Sequence, residues 1–140
     1  MRSLVIRGEV NKYGSIIGRL KSPNFLSRND WEFRVSSLIL TANENVNQEV
    51  YELGSSFNTS ECFDYEKNMF MDKLTPICLM YVNCKKNKKQ KFDLSTSSCP
   101  WLKIENVKDT VELSFFEPGT DKTVPKGTFS AVVHMWIKRK

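Results

Sequence analysis

The sequence predicts an all-β fold, a single antiparallel β-sandwich of about eight strands. Three observations point there. Nine Phe, four Tyr and three Trp supply rings that pack well on pleated surfaces. Alanine, the strongest helix former, occurs only at Ala42 and Ala131, which argues against a helical bundle. Short alternating segments recur between turn residues, with no strand–helix–strand succession that would build a parallel doubly wound sheet.

Residues 4–7 read as a first edge segment and 11–14 as a turn. Residues 15–20 continue extended, with Gly18 a candidate bulge. Breaks at Lys21-Ser22-Pro23-Asn24 and Ser27-Arg28-Asn29-Asp30 precede the clearest strand, 31–40. There Trp31, Phe33, Val35, Ser37 and Ile39 fall on one face, and Glu32, Arg34, Ser36, Leu38 and Leu40 on the other. Because Leu38-Ile39-Leu40 is apolar on both faces, this strand is expected to start near solvent and end buried on both sides.

Residues 41–48 read as polar loop. In the strand 50–57, Val50, Glu52, Gly54 and Ser56 lie opposite Tyr51, Leu53, Ser55 and Phe57. The stretch 58–73 admits a strand, a helical turn or a long loop. Residues 76–84 form a second strong strand, 92–94 and 101–104 brief ones, and 95–98 a loop. Residues 110–116 alternate, with Val111, Leu113 and Phe115 against Glu112 and Ser114. Turns at Pro118-Gly119-Thr120-Asp121 and Pro125-Lys126-Gly127 lead to the final strand, 129–137. Its shared face carries Phe129, Ala131, Val133, Met135 and Ile137.

The 140 residues are expected to form one domain, 1–140, large enough to bury a core without staples. The N-terminal apolar run of three residues, ended by Arg7, is too short for a secretory signal, and no stretch is long enough to span a membrane. Synthesis in the cytosol is the expectation. Cys62, Cys78, Cys84 and Cys99 are then expected as free thiols, with Cys78 and Cys84 sharing a strand face. Their spacing lacks the close pairs of a zinc site, so no metal is expected.

Neither a catalytic residue nor a cofactor site is predicted. The single histidine, His134, sits out of phase with Phe129, Val133 and Ile137, beside Ser130, Val132 and Trp136, none of which can orient a base. Cys62 or Cys99 could reach it only through the fold. The six glycines make no phosphate-cradling loop, and Asp64 and Glu66 do not complete a calcium loop. Asn58-Thr59-Ser60 fits the glycosylation triplet, which has no role in a cytosolic chain.

Net charge is +5, concentrated in Lys85, Lys86, Lys88, Lys89 and Lys91 and in Lys138, Arg139 and Lys140. Without those eight charges the remainder stands at −3, so this is a near-neutral chain with two basic spots. The lysine run reads as a solvated loop tip between two strands. Its functional reading is contact with nucleic acid, an anionic surface or a nuclear import receptor. Asn87 and Gln90 are the amides available there for reading bases.

From 18 to 40, a hydrophobic segment, a turn ending in Asn29-Asp30, then Trp31-Glu32-Phe33-Arg34-Val35 and an apolar finish resembles the opening of small single jelly-roll capsid proteins. These are the penton-type proteins of polinton- and adintovirus-like eukaryotic double-stranded DNA viruses. Thr110-Val111-Glu112-Leu113-Ser114-Phe115, Val124-Pro125-Lys126-Gly127 and 129–137 resemble that family's last two strands. The likeness covers about half the chain, at its two ends; 41–94 matches neither. It implies a jelly roll of eight antiparallel strands. It further implies a penton-type or minor capsid protein that self-associates, with a pentamer one such arrangement, and that contacts other capsid proteins. The virion is the implied location, after synthesis in the host cytosol and assembly there or in the nucleus. Phe116 and Trp136, outside the clean alternation, are the candidate contact residues, unless the fold itself covers them. Separately, Gly14-Ser15-Ile16 and Ser22-Pro23-Asn24-Phe25 resemble the start of extracellular CUB domains. That likeness implies a monomeric ligand-binding sandwich; Leu26 departs from its pattern.

Overall fold

The computed structural model describes residues 1–27, 30–94, 99–120 and 122–140, with backbone alone at 27, 60–62, 72 and 73. The strands are β1 (Arg2–Glu9), β2 (Ser15–Arg19), β3 (Trp31–Ala42), β4 (Val46–Asp64), β5 (Met69–Cys84), β6 (Lys89–Asp93), β7 (Leu102–Lys103), β8 (Thr110–Phe116) and β9 (Phe129–Arg139). One helical turn, α1 (Pro23–Ser27), stands where the sequence suggested only a break. Proline at its first position suits a helix start, because its fixed φ is helical and its missing N–H would be unpaired there anyway.

Two antiparallel sheets face each other. One runs β1-β9-β3-β6, with β7 on β3; the other runs β2-β8-β4-β5. Leaving β7 aside, the chain changes sheet at every step except the β4–β5 hairpin, and its last strand inserts between the first and third. That interleaving is the eight-strand jelly roll.

The inner faces meet in aromatic contacts. Phe33 on β3 packs on Phe57 of β4 at 5.3 Å, and Phe129 on β9 meets Phe115 of β8 edge-on at 5.0 Å. The expected faces of β4 and β9 hold: Leu53 and Phe57 point inward, as do Phe129, Ala131, Val133, Met135 and Ile137. Met80, Val82 and Cys84 share the inner face of β5, and Cys78 leans against the same core.

In β3 the strand is right and the faces are not. The β3–β9 register slips between Val35 and Ser37, so two residues oppose one. The extra residue of a bulge reverses the alternation beyond it. Leu38, Leu40 and Ala42 therefore join Trp31, Phe33 and Val35 in the core, while Ile39 turns outward, half-buried. The apolar run Leu38-Ile39-Leu40 marks a change of phase rather than a doubly buried strand end.

Other expectations shift too. Gly18 is no bulge: β2 pairs with β8 in unbroken register, and a Cβ at Gly18 would come within 2.7 Å of Ile6 Cγ1. That glycine lets β1 and β2 approach at the closing edge of the sandwich. Residues 41–48 are mostly strand, with only 43–45 outside β3 and β4. The uncertain stretch 58–73 is strand around a turn at 65–68. The turn residues Arg28 and Asn29, the loop 95–98 and Asp121 lie outside the described residues.

Candidate interaction surfaces

The lysine run crosses from β5 to β6, and it is not a floppy tip. Lys88 N–H donates to Lys85 O at 3.0 Å, closing a turn in which Asn87 has φ 65°. Asparagine tolerates that left-handed conformation better than most residues. Asn87 N–H donates to Ala42 O at 2.8 Å, Ala42 N–H to Lys88 O at 3.0 Å, and Lys86 N–H to Asn45 Oδ1 at 2.9 Å. Cys84 Sγ, buried beneath, donates to Lys88 O at 3.2 Å. The backbone is thus fastened to the β3–β4 turn while all five lysine side chains stand in solvent.

They do not form one cluster. Lys85, Lys86 and Lys88 occupy the turn; Lys89 and Lys91 project from β6, opposite Thr41 and Ile39. Charged residues on such an edge strand also discourage unwanted strand pairing. Gln90 serves the fold: its Oε1 accepts from Asn83 N–H at 3.0 Å and its Nε2 donates to Tyr81 O at 3.0 Å. This amide ties the edge strands of the two sheets together, so its hydrogen-bonding groups are not free for base edges.

Phe116 and Trp136 have different fates. Phe116 lies half-buried on the outer side of β8 against Gly54, where the missing side chain leaves room for its ring. Trp136 points outward from β9, 40% exposed, opposite Ser3 and Arg34. Val5, Ile39 and Val132 extend an apolar strip along the same face. Nearby, Lys138 Nζ sits 4.2 Å from the centre of the Trp101 ring.

The sequence reading missed the most exposed aromatic group. Residues 59–64 and 69–74 pair only with each other among the described residues, and form an arm running beyond the β4–β8 pairing. At its end Phe63 meets Tyr65 at 4.9 Å and Phe70 at 5.0 Å, both edge-on. Aromatic residues on both sides of Glu66-Lys67-Asn68 were the available signal; the polar residues between them hid it.

His134 is exposed beside Val5 and Ser37, with its backbone carbonyl accepting from Ser36 Oγ at 3.1 Å. Cys99 is buried and bonded to Cys78, not to His134; the side chain of Cys62 lies outside the described residues. Hydrogen bonding between these thiols, followed by burial, pushes Cys78 up. The same bond lowers Cys99 against the opposing effect of burial, with Arg34 acting in the lowering direction. Cys78, Cys84 and Cys99 are free of disulfides. Among the described residues no three His, Cys, Asp or Glu side chains gather as a metal site, and no helix is long and apolar enough to cross a membrane.

No protein-family model and no curated protein matches the sequence. Among solved structures, the chain is similar to the virus-like particle of the giant freshwater prawn Macrobrachium rosenbergii extra small virus. The identity is 7%, over 99% of this chain and 79% of that one, with a TM-score of 0.33. Tomato aspermy virus follows at 11% identity, 99% and 76% coverage and a TM-score of 0.30. The receptor-binding domain of the PapG adhesin is more distant, at 8% identity, 99% and 85% coverage and a TM-score of 0.16. The first two neighbours are viral capsid proteins; scores of this size leave the jelly-roll assignment resting on strand order and register.

Proposed function

We propose that this chain is a structural subunit of a viral capsid, a jelly-roll domain spanning 1–140 that associates with copies of itself and with neighbouring capsid proteins. It acts by burial and hydrogen bonding, without catalysis or a cofactor. A penton-type or minor position is the finer form of this reading. It places the chain in the virion after synthesis in the host cytosol, with assembly there or in the nucleus.

The observation that carries it is the combination of jelly-roll strand order with large apolar side chains left outside the sandwich. Val5 and Trp136 line one outer face, Leu79 and Tyr81 the other, and Tyr65, Met69 and Phe70 end the arm. Assembly interfaces draw on such surfaces. Most of the capsid-like motifs fall on the strands that build this order: Trp31 to Val35 open β3, 110–115 lies in β8 and 129–137 in β9, with Val124 to Gly127 in the connection between them. Light scattering across a concentration series, with thiol titration alongside, tests the proposal. A ring-like oligomer or closed shell with free thiols is expected; a monomer at every concentration would overturn it.

A further inference from the structure

The arm and the lysine turn lie at opposite ends of one strand. β5 runs from Met69, at the arm's end, to Cys84, where the turn begins. At about 3.3 Å per residue, they are separated by roughly 50 Å. Their charges oppose each other. At the arm's end the described charged side chains are Asp64, Glu66 and Lys67, two acids to one base; between 85 and 91 there are five lysines and no acid.

The arm is poorly supported within its own chain, and a lone two-stranded ribbon is marginal in water. Its turn is nonetheless preformed, because Asp64 Oδ1 accepts the N–H groups of Glu66 at 2.9 Å and Lys67 at 3.2 Å. Around that turn Tyr65 is 87% and Phe70 65% exposed.

At the other end, Leu79, Tyr81 and Asn83 follow one another along the outward side of β5, and Lys85 opens the turn just beyond. The register slip between Val46 and Glu49, with Gln48 at φ 47°, opens a groove of about 280 Å³ there. Gln48, Glu49, Tyr81, Val82 and Asn83 line it.

We propose that the aromatic, acidic end of the arm docks on the basic end of a second copy of this chain, in the groove beside Tyr81 and next to Lys85 and Lys86. Copies then join head to tail. This rests on the self-association reading above and adds its interface. Burial of Tyr65 and Phe70 against Tyr81 and Leu79 holds the contact. The charges orient it and speed encounter, since exposed ion pairs alone contribute little. Two unlike patches make a heterologous contact, which closes into a ring or continues as an open array. Nucleic acid would use the lysines but leave the arm uncovered, so a second copy is the occupant the surface favours.

The test uses the full chain and two variants altered at exposed positions: Tyr65→Ser with Phe70→Ser, and Lys85→Glu with Lys86→Glu. Thermal melts check that both fold. Each is expected to raise the concentration for assembly by about tenfold or more. Below that concentration, an equal mixture supplies one intact arm and one intact groove, and is expected to give complexes of two chains that grow no further. If the parent assembles and both variants match it, the arm contact is wrong and the self-association reading stands. If the parent is monomeric throughout, both fail. If the lysine variant assembles like the parent but loses binding to a single-stranded DNA oligonucleotide at low salt, the turn serves nucleic acid and the proposal falls.

Discussion

Phe116 and Gly54 fit as ring against bare backbone. A Cβ built at Gly54 would stand 3.1 Å from Phe116 Cε1 and 2.9 Å from Leu74 Cβ. Leu74 Cβ is attached directly to the β5 backbone, so the closer of the two contacts cannot be relieved without moving that strand.

Gly54→Ala is therefore expected to destabilise the fold by about 1–3 kcal/mol, the usual cost of overpacking. Chemical denaturation measures it directly. Phe116→Leu combined with Gly54→Ala should recover part of the loss, because the smaller side chain frees the space the methyl needs. Equal stability of Gly54→Ala and the parent would show that Leu74 and Phe116 do not crowd this position.

Much of this roll was legible from residue patterns, and the failures have physical causes. The strand 110–116 and the faces of β9 follow simple alternation, because β8 pairs with β2 in unbroken register and the extra residue of the β3–β9 bulge falls on β3 rather than on β9. Alternation failed in β3, where one inserted residue at Ser36-Ser37 changes the phase and neither serine announces it. It failed again at 58–73, where an arm with little core contact owes its strand character to pairing with itself. Among the candidate contact residues, the solvent-facing lysines were legible from charge alone. The folding of Phe116 back onto Gly54 was not, because it depends on the neighbouring strand.

The bulge gives its own prediction. Deleting Ser36 would remove the extra residue and leave uniform alternation from Val35 onward, with Leu38 and Leu40 still inward and Ile39 still outward. Both leucines are now fully buried. The cooperative melting transition is therefore expected to survive the deletion, and its loss would show that the bulge itself, and not only the phase it sets, is required by the fold.

Asn87 carries the conformation of the lysine turn. Asn87→Gly should leave stability within about 0.5 kcal/mol, since glycine accepts the left-handed region freely. Asn87→Val should cost about 1–2 kcal/mol, because its branched Cβ is strained in that region and it lacks the short polar side chain that eases asparagine into it. Amide exchange at Lys88 and Ala42 would report the loosening, because those N–H groups bond within or against this turn.

Alkaline pH acts through Tyr51. Burial pushes its phenol above the ordinary 10.0, and the carboxylates of Glu49, Glu117 and Glu44 push in the same direction. The unfolded chain gives up that proton first. The contribution to stability is therefore complete below the unfolded value and is lost as pH rises through the folded one. Tyr51→Phe keeps the ring against Phe129, 6.1 Å away, and removes the proton. Its stability should fall less steeply than the parent's above about pH 10. Parallel curves for the two proteins would exclude Tyr51 as the source.

Phe116 and Trp136 can be separated by what each substitution changes. Phe116 packs within its own chain, so Phe116→Ala is expected to cost about 2–4 kcal/mol of folding stability. Trp136 leans on its own sheet with one side and faces solvent with the other. Trp136→Ser should move stability by less than about 1 kcal/mol. If its outer face meets another subunit, the same change weakens self-association by about tenfold or more, because tryptophan anchors dominate interfaces. The pair is measured by denaturation and by light scattering on the same preparations. Unaltered assembly of Trp136→Ser would remove this strip from the interface and leave the arm and groove as the contact to pursue.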